Sequence, residues 1–199
     1  MRWMAFGTAL LAAVATQAPG AGATLLTFGA SLLPETTGAT GSGSTIVAID
    51  DAANTLQVHI TWSGLSGPTT ASHIHCCVAP PGTVGVAVTP VSFPGFPGSV
   101  GGPTGATSGI YYSPVIDLLN PASYTSGFLG GRTAAEGEAA LIAGIEAGQA
   151  YLNVHTSTHP SGEIRGFLTE VPEPGSIALF GLGMIALAAL RRRRGTARL

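Results

Sequence analysis

Leu56, Val58, Ile60 and Trp62 alternate with Gln57, His59 and Thr61. Side chains two apart on a strand share a face, so this run buries one face and leaves the other polar. Asp50-Asp51-Ala52-Ala53-Asn54 before it has the composition of a turn, which makes Ser44–Ile49 its hairpin partner. Further strands are expected at Leu25–Ser31, Ser72–Val78, Val84–Thr89, Ile110–Asp117, Ala150–Thr156 and Glu163–Thr169. Thr156–Gly162 carries Pro160 and Gly162 and reads as a tight loop, so the last two strands should form a hairpin. One segment departs from the pattern. Thr133–Ala147 is rich in alanine, with Thr133 and Glu136 spaced as a capping box and Gly148 as a stop. The expected fold is all-β, a Greek-key sandwich or barrel with one short helix before the last hairpin. Pro90–Gly109 should be a long surface loop, ordered by Phe93 and Phe96 or not at all.

Two apolar segments bracket this region. Met1-Arg2 gives a positive start, Trp3–Ala15 is interrupted only by Thr8, and Ala21-Gly22-Ala23 supplies small residues for a cleavage site. Residues 1–23 therefore read as a signal peptide for signal peptidase, cut near Ala23–Thr24. At the other end, Val171-Pro172-Glu173-Pro174-Gly175 precedes an apolar run, Ser176–Leu190, and then Arg191, Arg192, Arg193 and Arg194. Cationic flanks resist translocation, which would keep the arginines in the cytoplasm. The apolar run is shorter than the ~20 residues of a full bilayer span. It suits a short transmembrane helix, an anchor that is transient or permanent. The order of parts over residues 171–199 resembles the PEP-CTERM sorting signal of bacterial envelope proteins. That resemblance implies export, processing by an exosortase-type machinery and a place in the cell envelope or outside it.

Residues 24–170 remain as one domain. Of the ten acidic residues only Glu173 lies outside it, and of the eight arginines only Arg132 and Arg165 lie inside; there is no lysine. This surplus of acid excludes nucleic acid and anionic membrane surfaces as partners of the domain.

The chemistry sits on two predicted strands. His73 and His75 are two residues apart, so both imidazoles face one way, ~7 Å apart by strand rise and within reach of one ion. A second group follows: Tyr151-Leu152-Asn153-Val154-His155-Thr156, then His159, then Gly162-Glu163-Ile164-Arg165-Gly166. With Thr70-Ala71-Ser72-His73-Ile74-His75 and the Leu65-Ser66-Gly67 after Trp62, these segments resemble the CHRD domain of chordin and of many secreted bacterial proteins. The resemblance spans Thr24–Thr169. It implies an immunoglobulin-like β-sandwich or barrel, a fold also compared with copper–zinc superoxide dismutase, and it implies little about activity. The chain departs from the family pattern at Cys76-Cys77 and in the proline-rich stretch 79–109.

Two readings of the histidines stand. In one, His73, His75 and His155, joined by His159 or Glu163, bind zinc or copper. In the other, their rings hydrogen-bond strand ends and fix the hairpin. His59, on the polar side of its strand, is expected to face solvent. Glu163 and Arg165 share a face, and an ion pair tying the last strand to its neighbour is the expected role there. Cys76 and Cys77 are the only cysteines. They form a vicinal disulfide, remain free, pair with another chain or add a thiolate beside the histidines.

The sequence has no Gly-x-Ser-x-Gly elbow, phosphate loop or His-Glu-x-x-His. The one enzymatic reading with support is copper-dependent redox chemistry, resting on histidine geometry and fold analogy. Ahead of it stands a secreted, envelope-sorted binding or structural module, with exopolysaccharide or envelope proteins as partners and a metal-binding role as the alternative.

Overall fold

The computed structural model describes residues 25–171. The signal-peptide segment, Pro172, Glu173, Pro174, the C-terminal apolar run and Arg191–Arg194 lie outside the described residues. Ten strands make one antiparallel sheet curled into a half-barrel. They are β1 Leu25–Pro34, β2 Ser42–Asp50, β3 Thr55–Ser63, β4 Thr69–Cys76, β5 Val86–Val88, β6 Gly109–Tyr112, β7 Ile116–Asp117, β8 Ala150–Thr156, β9 Ile164–Phe167 and β10 Thr169–Glu170. The order across the sheet is β5-β4-β8-β9-β1-β2-β3-β6, with β7 also on β3 and β10 also on β1. Strand β1 joins the two halves: most of its length pairs with β2, while Leu33 and Pro34 at its end pair with β9.

The alternation of β3 is realised side chain by side chain. Leu56, Val58, Ile60 and Trp62 are buried, and they meet Val47 and Ile49 of β2 and Ile74, Leu152, Val154 and Ile164 of the other half. Burying each such side chain contributes about 1.5–3 kcal/mol, the main term holding the sheet curled. The loop between β5 and β6 is ordered by its aromatics. Phe93 and Phe96 are fully buried, Phe93 N–H donates to Ser72 O at 2.9 Å and Tyr111 O–H donates to Pro94 O at 2.8 Å.

Helix α2, Ala134–Glu146, is the expected one. Its capping box is complete: Glu136 N–H donates to Thr133 Oγ1 at 3.3 Å and Thr133 N–H to Glu136 Oε2 at 2.8 Å. The structure adds two short pieces, a 3-10 turn at Pro121–Ser123 and the one-turn α1, Ser126–Leu129. Each is started by a side chain, Asn120 accepting from Ala122 N–H and Thr125 from Phe128 N–H. The expected strand Ile110–Asp117 is broken into β6 and β7. Pro114 lies at the break, and proline has no N–H to give a ladder. Among the described residues, no helix is long and apolar enough to cross a membrane.

Candidate metal centre

Strands β4 and β8 lie side by side, and their register builds the site. His73 sits opposite Asn153, Ala71 opposite His155 and His75 opposite Tyr151. Opposed residues share a face, and so do residues two apart. His73, His75, Asn153 and His155 are therefore brought together from only two strands. One ring nitrogen from each histidine lies within 4.8 Å of the others. All four side chains are buried.

The remaining ring nitrogens meet backbone carbonyls. His73 Nε2 lies 3.0 Å from Val91 O, His75 Nδ1 2.7 Å from Val84 O and His155 Nδ1 2.8 Å from Pro160 O. A carbonyl only accepts, so each of these nitrogens carries the proton and donates it. His73 Nδ1, His75 Nε2 and His155 Nε2 are left bare, and they are the three that converge. His155 Nε2 lies 3.2 Å from His73 Nδ1. The same pattern, one ring nitrogen on a carbonyl and the other on the ion, orients histidine ligands in metal sites.

Protonation does not relieve the crowding near neutral pH. Burial, then the neighbouring His155 and His75, pull His73 down to about 4. Burial likewise lowers His75 and His155 against the pull of their carbonyl partners. Tyr151 stacks on His75 with ring centroids 4.6 Å apart and planes 4° from parallel, closing one side. Arg165 lies over Tyr151 at 5.0 Å and donates to Pro81 O at 2.8 Å.

His159 and Glu163 lie apart from this cluster. Glu163 is fully buried and accepts from Ser66 N–H at 2.6 Å, Thr40 N–H at 3.3 Å and Thr156 O–H at 2.5 Å. Burial pushes its carboxyl up, but these donors outweigh it and hold the group below its ordinary value. His159 Nδ1 lies 3.0 Å from Ser66 Oγ and 3.6 Å from Glu163 Oε2. Their shared work is to tie the β8–β9 hairpin to the loop after β3. Glu163 lies outside the group whose ligand atoms converge; its Oε1 serves two backbone N–H groups and its Oε2 the Thr156 hydroxyl. Arg165 pairs with Glu35 at 3.4 Å, just beyond the end of β1.

His59 also departs from expectation. It is half-buried and stacks on Tyr112 across the β3–β6 pair, centroids 4.3 Å apart and planes 12° from parallel. Cys76 and Cys77 are bonded to each other, and an added Cβ at Gly144 of α2 would run into both sulfurs. Among the described residues, neither sulfur belongs to the histidine cluster.

Comparison with known proteins agrees with the fold and motifs. The model of the CHRD domain matches residues 23–168, most of the chain and all of the strands up to β9. The chain belongs to the CHRD family. The PEP-CTERM protein-sorting motif matches residues 170–194. No curated protein and no solved structure matches the chain. In this CHRD protein the start of the sorting-motif match overlaps the sheet: Glu170 of β10 pairs with Phe28, and Val171 N–H donates to Thr27 O of β1 at 2.8 Å. The two matches together mark an exported, envelope-sorted surface protein, recognised by exosortase-type machinery.

The sequence motifs bring out the three histidines that converge here but assign no role to Asn153. Its signal was present, two residues before His155 on one strand face. The carbonyls of Val84, Val91 and Pro160 carry no signal at all, since any residue supplies one.

Proposed function

We propose that this CHRD protein is a transition-metal-binding module of the cell envelope, taking copper or zinc on His73, His75 and His155. The supporting observation is the convergence of three bare ring nitrogens, each fixed by a carbonyl on the far side of its ring. Neutral imidazole suits both metals, with copper favoured by raw affinity. A cation there would turn the close approach of two lone pairs into two bonds. The test is calorimetric titration of the full chain, purified without a histidine tag, with zinc and with copper at neutral pH. One equivalent bound, lost in His75→Ala, supports the reading. Flat titrations with both metals overturn it and leave the histidines as framework residues.

A second reading, a binding module for exopolysaccharide or another envelope component, draws on the open face of β2, β3 and β6. Ile46, His59 and Tyr112 form one row across it, and Ser44, Thr61 and Ile110 the next. Ile46, Ile110 and Tyr112 are exposed there without a charged neighbour in either row. Co-sedimentation of the full chain with isolated exopolysaccharide, reduced in Tyr112→Ala, is the corresponding test.

A further inference from the structure

Asn153 Oδ1 lies 3.2 Å from His75 Nε2 and 3.0 Å from His155 Nε2. Those two nitrogens carry no proton, because the Nδ1 of each ring donates to Val84 O or Pro160 O. The amide oxygen therefore meets two lone pairs and accepts from neither. A free amide would turn over and offer its Nδ2 hydrogens to both rings. It does not, and the reason lies on its other side: Nδ2 is 3.4 Å from Glu35 Oε1. Glu35 is held by Arg165 at 3.4 Å, and Arg165 is anchored on the carbonyls of Pro81 and Gly82. Gly162 leaves the space for this arrangement. At φ 125° it carries no Cβ, and one placed there would strike Glu35 Oε1 and crowd Asn153 Nδ2.

Three of the separations have the scale of a coordination shell, and the three histidine nitrogens lie within 4.8 Å of one another. Metal–nitrogen bonds of about 2.0–2.1 Å place neighbouring ligands of a four-coordinate ion about 2.8–3.4 Å apart, from square to tetrahedral geometry. The contacts from His73 to His155, from His155 to Asn153 and from Asn153 to His75 are 3.2, 3.0 and 3.2 Å. They link all four side chains in an unbroken series.

We propose that Asn153 Oδ1 is the fourth ligand of the centre, making it a three-nitrogen, one-oxygen site for a divalent transition metal, and that Glu35, held by Arg165, is the positioning residue that presents this oxygen. The inference rests on the three histidines binding metal at all. All four ligands are neutral, so the charge of a bound dication is met from outside the shell.

The experiment loads the full chain with cobalt(II) as a spectroscopic probe and measures zinc affinity by competition with a chelator. In the wild-type protein the cobalt spectrum should be that of a four-coordinate ion. Asn153→Ala should weaken zinc binding about 10–100-fold and change the cobalt spectrum. Asn153→Asp keeps the shape and an oxygen ligand, so it should bind at least as tightly as wild type. Glu35→Ala should weaken binding about 10-fold in the Asn153 protein, because the amide is then free to turn. In the Asn153→Asp background the same change should not weaken it, since a carboxylate has no wrong end. Melting curves of the metal-free variants check that each is folded. If the wild type binds zinc but Asn153→Ala matches its affinity and cobalt spectrum, Asn153 is no ligand while the histidine site stands. If Glu35→Ala weakens both backgrounds equally, the positioning role is wrong. If the wild type binds neither metal, both readings fall together.

Discussion

Nε2 of His155 lies 3.2 Å from Nδ1 of His73, and the far nitrogen of each ring donates to a carbonyl of a different loop. The pair is held apart from any proton donor and close to His75. Removing one member should remove the site. His155→Ala is expected to abolish zinc and copper binding in calorimetry. His59→Ala should leave binding unchanged, because His59 stacks on Tyr112 on β3, outside the cluster.

The metal-free protein should lose stability on acidification. His73 falls from 6.5 to about 4 on folding, so the unfolded chain takes up the proton first. Its contribution is fully present above 6.5, declines as pH falls, and is gone once pH passes about 4. A shift of this size is worth about 3 kcal/mol for His73. His75 and His155 act in the same direction. Glu35 acts the other way: its raised carboxyl adds stability only at low pH. Melting temperature in the presence of chelator, followed from neutral pH downward, should fall across this window. Saturating zinc should make the drop steeper, since protons and metal compete for the same nitrogens. A flat profile through the window would count against buried neutral histidines.

Glu163 offers the opposite test. Glu163→Ala removes the acceptor of the Thr40 and Ser66 N–H groups, while the Thr156 hydroxyl keeps Thr158 Oγ1 at 3.1 Å. Thr40 and Ser66 are exposed residues, so water can reach their N–H groups and each loss falls below the about 1–3 kcal/mol of a fully buried unpaired group. The variant should melt below wild type, yet bind zinc with wild-type affinity once folded. A parallel loss of affinity would return Glu163 to the metal site.

How much of this was legible in the sequence differs by element. Period-2 alternation marked β3, and a capping box marked α2 to within a residue at each end, because both signals are local. The split between β6 and β7 turns on one proline within an otherwise strand-like run. The pairing of β4 with β8 rests on no local pattern, since residues about eighty apart meet in register. Family resemblance stood in for it by placing the histidine motifs together. The carboxylate of Glu163 was grouped with the histidines on sequence proximity alone. Its partners are Thr40, from a loop that carries no motif, Ser66 of the Leu65-Ser66-Gly67 segment, and Thr156. Cys76 and Cys77 left several chemistries open in the sequence, and only the packing of α2 shows what lies against them.

That packing gives the last prediction. Gly144 lies inside α2, where replacing glycine with alanine ordinarily adds about 1 kcal/mol of helix stability. Here the new methyl would run into Cys76 Sγ and Cys77 Sγ, with Cys77 Cβ 3.3 Å away. Cys76 ends β4 and is buried, and its sulfur is bonded to that of Cys77, so neither sulfur can swing aside as a flexible side chain would. Overpacking of this kind costs about 1–3 kcal/mol, which outweighs the propensity gain. Gly144→Ala should therefore lower the melting temperature. Gly127 of α1 is the control, because an added Cβ there meets nothing within 4 Å. Gly127→Ala should be neutral or stabilising. With both cysteines replaced by alanine, the two sulfurs are gone and only the Cβ of residue 77 remains, 3.3 Å away, so Gly144→Ala should lose most of its cost. If Gly144→Ala is as destabilising in that background as in the wild type, the helix is held off β4 by something other than the sulfurs.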